Sequence, residues 1–118
     1  MQSIDLSLAL KATDGDIELL HEVVESFLEE YPTLLAQLEA ALQAGDKAVV
    51  QRSSHTIKGT LRLFGKSPSQ ELAELLEEIG ASGSLENATE TYELLKLSLA
   101  TLRRQLLEAI KNLGVDSA

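Results

Sequence analysis

Cysteine is absent from this chain of 118 residues, which excludes disulfides, Cys-ligated zinc, iron–sulfur clusters and thiol catalysis. Tryptophan is absent too, and aromatic residues make up only 3%. Two prolines and seven glycines supply little of the turn chemistry that a many-stranded sheet needs. No apolar run approaches the roughly 18 residues that would read as a membrane span. The opening Met1-Gln2-Ser3-Ile4-Asp5 carries neither the basic nor the apolar part of a signal peptide, so a cytoplasmic location is expected. Basic residues are scarce as well. Ten Lys and Arg stand against 19 Asp and Glu, a net charge of -9, which argues against a whole-surface grip on nucleic acid or anionic membrane.

What is present is the balance of an ordinary soluble domain, with 44% hydrophobic and 25% charged residues. The length fits one domain over residues 1–118, expected to be a monomer. Apolar positions recur at helical spacing almost throughout. A short helix is read from about Ile4 to Leu10. Asp14 or Asp16 then caps a helix whose stripe is Ile17, Leu20, Val24, Phe27, Leu28 and Tyr31. Pro32 either opens a new helix or kinks a continuous one, and Leu34, Leu35, Leu38, Ala41 and Leu42 carry the stripe on to Gly45.

Asp46 caps the next helix, with Val50, Ile57, Leu61 and Phe64 inward and a stop at Gly65. Ser67-Pro68-Ser69-Gln70 spells a capping box, opening a helix with Leu72, Leu75, Leu76 and Ile79 inward. Gly80 to Gly83 reads as the following break. Ser84 then caps a long helix bearing Leu85, Ala88, Tyr92, Leu95, Leu99, Leu102, Leu106, Ile110 and Leu113. Steps of three and four, joined by short loops, predict an all-α, up-and-down antiparallel four-helix bundle with a short extra N-terminal helix. Phe27, Tyr31 and Tyr92 read as core, His21 as an ordinary surface or boundary residue, and Glu29-Glu30 and Glu77-Glu78 as solvated faces.

The net charge conceals one segment. From Lys47 to Gln70 there are five basic residues (Lys47, Arg52, Lys58, Arg62, Lys66) and no Asp or Glu, a local +5 against -14 for the remainder. Such segregation suggests a docking site for an anion or an acidic surface. With about 100° per residue and the Val50/Ile57/Leu61/Phe64 stripe set at about 0°, His55 falls near ~140°. Arg62 lies near ~120°, Lys66 near ~160°, Gly59 near ~180°, Arg52 near ~200° and Lys58 near ~80°. One histidine thus stands opposite the core among four cations. A glycine lies one turn along, although mid-helix glycine costs about 0.5–1 kcal/mol relative to alanine. Such a position often provides space for another molecule.

The chemistry open to this group is narrow. No nucleophile elbow or glycine-rich phosphate loop is present, and Ser53 and Ser54 cannot face His55 from consecutive helical positions. His21, the only other histidine, is remote in sequence, which disfavours a metal site. An exposed imidazole amid cations can act as a nucleophile toward a phosphoryl group, with Lys58 neutralising the equatorial oxygens. It can equally be a solvated surface histidine, and the residues alone leave both readings open.

At these residues the chain resembles the histidine-containing phosphotransfer (HPt) domains of multistep two-component phosphorelays. The segment Ser54-His55-Thr56-Ile57-Lys58-Gly59-Thr60-Leu61-Arg62-Leu63-Phe64-Gly65 fits His-x-x-Lys-Gly with a second Gly ten residues after the His. Its flanks agree: Ala44-Gly45-Asp46 ends an acidic helix before it, and a helix reaching Leu76-Glu77 follows. The resemblance covers roughly residues 5 to 110. It implies that His55 is phosphorylated at Nε2, that Lys58 stabilises the phosphoryl group and that Glu77 orients the imidazole through Nδ1. It also implies that Arg52, Gly59, Arg62, Leu63 and Lys66 form the docking face, Gly59 as clearance and Leu63 as an apolar contact; Leu63 can instead pack against the N-terminal helix.

The implied partners are response-regulator receiver domains, and a histidine kinase in the same or another chain. The implied cofactor is none, because Mg²⁺ belongs to the receiver. Nucleic acid and membrane are not expected partners. Ser54 replaces a common alanine, and Lys66 replaces a common small or apolar residue. Two other functions fit the same residues: a helical interaction module that docks receivers without being phosphorylated, and the phosphoacceptor domain of a chemotaxis-type kinase. The chain carries no kinase signature of its own.

Overall fold

Helical periodicity and well-placed caps build the chain into five α-helices in a computed structural model that describes residues 4–113. They are α1 (Ser7–Ala12), α2 (Ile17–Ala44), α3 (Lys47–Leu61), α4 (Pro68–Ser82) and α5 (Ala88–Lys111), with a 3₁₀ turn, Arg62–Phe64, after α3. Helices α2 to α5 form the up-and-down bundle, each packed on its chain neighbour, and α2 meets α5 to close it. Helix α1 lies at one end against the 3₁₀ turn and α2. Among the described residues no helix is long and apolar enough to cross a membrane.

The caps explain most boundaries. Asp16 accepts from the Leu19 amide at 3.1 Å, and Asp46 accepts from Val49 at 3.2 Å. Ser67 accepts from Gln70 at 3.2 Å, with Pro68 in the first turn of α4. Gly45 ends α2 at φ 70, a left-handed conformation that glycine adopts without strain. Pro32 neither ends nor restarts a helix: α2 runs through it for 28 residues. Pro32 is exposed, and its ring removes the amide that would otherwise bond the Leu28 carbonyl.

The core follows the stripes closely. Leu20, Val24, Phe27, Leu38, Val50, Ile57, Leu61, Leu76, Leu95, Leu99 and Leu106 are all buried. Phe27 stacks on Tyr31 and meets Phe64 edge-on at 5.3 Å between centroids. The Tyr92 hydroxyl donates to the Leu35 carbonyl at 3.3 Å, tying α5 to α2, and burial pushes its pKa up to about 12. His21 is half-buried, with Nε2 3.2 Å from the Ile110 carbonyl.

Four boundary or facing expectations are corrected. The first helix begins at Ser7 and runs to Ala12. Leu75 points outward at 44% exposure, because Ala73 and Gly80 rather than Leu75 complete the buried face of α4. The last helix starts at Ala88 rather than Leu85; Ser84 instead accepts from the Glu86 amide in the preceding loop. Gly80 does not begin a break. It is buried inside α4, which ends at Gly83 with φ 90.

The two mid-helix glycines therefore differ. A Cβ at Gly80 would lie 2.8 Å from the Gln51 amide nitrogen and 3.0 Å from its Cα, whereas one at Gly59 would meet nothing within 4 Å. Gly80→Ala should destabilise the fold by about 1–3 kcal/mol through overpacking against immovable backbone. Gly59→Ala should stabilise it by about 0.5–1 kcal/mol through helix propensity. Ser54, wholly buried with an unpartnered hydroxyl, should gain about 1 kcal/mol on replacement by alanine. Urea unfolding of the three variants checks all three signs.

Candidate functional site

The charge-segregated segment forms α3 and the turn after it. His55 projects from the middle of α3 with its side chain 63% exposed, while Ser54 and Ile57 on the adjoining face are buried. Glu77 reaches across from α4. Its Oε2 lies 2.8 Å from His55 Nδ1, and its Oε1 lies 2.7 Å from Lys58 Nζ. Oε1 is shielded from solvent, and its contact with Lys58 is an ion pair rather than a well-directed hydrogen bond. One carboxylate thus serves two bases that sit three residues apart on the neighbouring helix.

The electrostatics fix the roles. The Lys58 ammonium, 2.7 Å away, holds the Glu77 carboxyl below its ordinary value of 4.5; partial burial opposes this, and the hydrogen bond from His55 adds to it. An ionised carboxylate only accepts, so in neutral His55 the proton sits on Nδ1. The Nε2 lone pair is then left free on a ring whose side chain is largely exposed. A shallow depression of about 330 Å³ beside the ring is lined by Ala48, Gln51, Arg52, His55 and Glu77.

The remaining candidates divide. Arg52 is exposed one turn before His55 and shares its depression. Gly59 is exposed in open space. Arg62 keeps helical angles at the C-cap of α3, two turns beyond His55. Lys58 is not an open cation beside the ring; its side chain is only 12% exposed, drawn in by Glu77. Lys66 does not flank His55, because α3 ends at Leu61 and Gly65, at φ 80, redirects the chain. It lines a separate depression with Ile4, Asp5 and Leu8 at the α1 end of the bundle. Leu63 is half-buried and lines a depression with Leu19, Val23 and Phe27 of α2, in the 3₁₀ turn against which α1 also lies. Glu77 is half-buried and paired, unlike its exposed neighbour Glu78, so it departs from the solvated face expected for the run.

A model of the Hpt domain matches residues 22–111. The chain belongs to the Hpt domain family. Its fold also matches the crystal structure of histidine-containing phosphotransfer protein B (HptB) from Pseudomonas aeruginosa PAO1. The TM-score is 0.84 at 22% sequence identity, over 92% of this chain and 95% of that one. Comparison with curated protein sequences gives no match. This Hpt domain is therefore a phosphotransfer module by family. Sequence reasoning missed the close approach of Gly80 to Gln51 beside the site. The only available signal was a glycine near a second glycine, and that pairing reads as a turn.

The Glu77 pairing has a pH signature. In the unfolded chain the carboxyl titrates near its ordinary 4.5, and in the fold it titrates lower. Its contribution to stability is therefore fully present above that value and is lost as pH falls through the folded one. The stability advantage of wild type over Glu77→Gln, read by urea unfolding, should be full well above 4.5 and shrink as pH falls below it. An advantage unchanged at acid pH would show that the carboxylate's charge does not stabilise the fold.

Proposed function

We propose that this Hpt domain is a phosphorelay intermediate in which His55 accepts a phosphoryl group from a receiver-domain aspartyl phosphate and passes it to a second receiver. The observation that carries this reading is the hydrogen bond between His55 Nδ1 and Glu77 at 2.8 Å on an otherwise exposed ring. It leaves Nε2 as the nucleophile. The Nε2 lone pair attacks phosphorus in line, the N–P bond forms as the aspartyl O–P bond breaks, and the aspartate leaves as a carboxylate. No proton has to move, because Nδ1 keeps its hydrogen and Glu77 counters the positive charge that develops on the ring. Transfer onward is the same step in reverse with a different aspartate.

Lys58 is placed to neutralise phosphoryl oxygens once the group arrives, exchanging part of its contact with Glu77 for them. Arg52 on α3 and Arg62 at its C-cap, both exposed, add positive charge that suits an acidic receiver pocket and speeds encounter. Gly59 leaves room for the receiver's loops, since nothing within the domain occupies the space above it. The metal that phosphoryl transfer from aspartate uses is assigned to the receiver, and a cytoplasmic setting follows from such partners.

Incubation with a phosphorylated receiver domain should yield an acid-labile, base-stable label on the wild-type protein and none on His55→Gln. Absence of label on wild type across several receivers would favour a docking module that is never phosphorylated. Gly59→Trp should abolish transfer while leaving the circular-dichroism helicity intact. Normal transfer by that variant would remove the clearance role.

A further inference from the structure

Gly80 follows Glu77 by one turn on α4, and Gln51 precedes His55 by one turn on the antiparallel α3. At that level the two helices touch backbone to backbone: a Cβ on Gly80 would lie 2.8 Å from the Gln51 nitrogen, 3.0 Å from its Cα and 3.1 Å from its Cβ. None of these atoms can rotate aside. The contact lies one turn from the Glu77–His55 pair along both helices, and Gln51 also lines the depression at the ring. Gly80 lies in the α4 interior and serves no turn, since the helix continues past it to Ser82.

Building on the phosphoacceptor role of His55, we propose that Gly80 is a positioning residue of the site. Its missing side chain lets α3 and α4 close to backbone contact, and that spacing holds the Glu77 carboxylate within hydrogen-bond reach of Nδ1. An alanine there must part the helices. The Glu77–His55 bond then lengthens, and the imidazole relaxes toward the Nε2–H tautomer that free histidine prefers. That tautomer has no lone pair at Nε2 and cannot attack phosphorus.

Long-range ¹H–¹⁵N spectra of the neutral His55 ring report the tautomer without any receiver present. Wild type should show Nδ1–H, and Gly80→Ala should move the ring nitrogens toward the Nε2–H pattern. Phosphoryl acceptance should fall about tenfold or more, in keeping with the ~100-fold that a ~1 Å misplacement can cost. In a Glu77→Ala background the Gly80 substitution should change neither the tautomer nor the rate further, because the two act through one bond. Should Gly80→Ala fold poorly, the comparison is made in a Ser54→Ala background. Glu77→Asp, which retracts the carboxylate without touching the helices, should reproduce the tautomer change. A destabilised Gly80→Ala protein that keeps the wild-type tautomer would overturn the proposal. Failure of wild type to accept phosphate would instead count against the relay function and leave the tautomer result standing.

Discussion

A single carboxylate shared between two helices organises this domain. Glu77 stands on α4, and both of its partners, His55 and Lys58, stand on α3. The spacing of those helices therefore bears directly on the contact between the carboxylate and the imidazole. Charge-assisted hydrogen bonds are strong when short and weaken quickly with distance. The close backbone approach at Gly80 and Gln51 is what a rigid bundle can supply and an isolated helix cannot. The core below, with Ile57, Leu61 and Leu76 fully buried, resists the separation that would loosen the bond.

The charge pattern gains a different meaning from this geometry. The five cations between Lys47 and Gln70 do not act as one ring around His55. Lys58 is committed to Glu77, and Lys66 is carried away by the turn at Gly65. Arg52 and Arg62 remain exposed along α3. A ring hemmed by uncompensated cations would resist the positive charge that nucleophilic attack places on it. In the relay role proposed above, Glu77 would remove that conflict locally, while the exposed arginines would keep the longer-range attraction for an acidic partner.

Much of the fold was legible because it depends on local rules. The caps at Asp16, Asp46 and Ser67 and the stripes of α2, α3 and α5 depend on residues a few positions apart. The errors came where a residue's role is set by something distant in the chain. Leu75 fits the α4 stripe as well as Leu72 does, and only the bundle's packing leaves it outside. Pro32 offered two readings, and the exposed face on which it falls decided between them.

The site divides along the same line. By itself the sequence determined a helical bundle, a single exposed histidine on a basic helix and the His-x-x-Lys-Gly spacing, because each is a matter of helical period and residue type. Glu77 entered only through family resemblance, being 22 positions from His55. The tertiary structure alone decided that its carboxylate reaches Nδ1 and Lys58 together, and that Gly80 is a packing residue rather than a turn. These outcomes depend on the distance between two helices. That distance is set by side chains meeting across the bundle, and no periodicity along one helix encodes it.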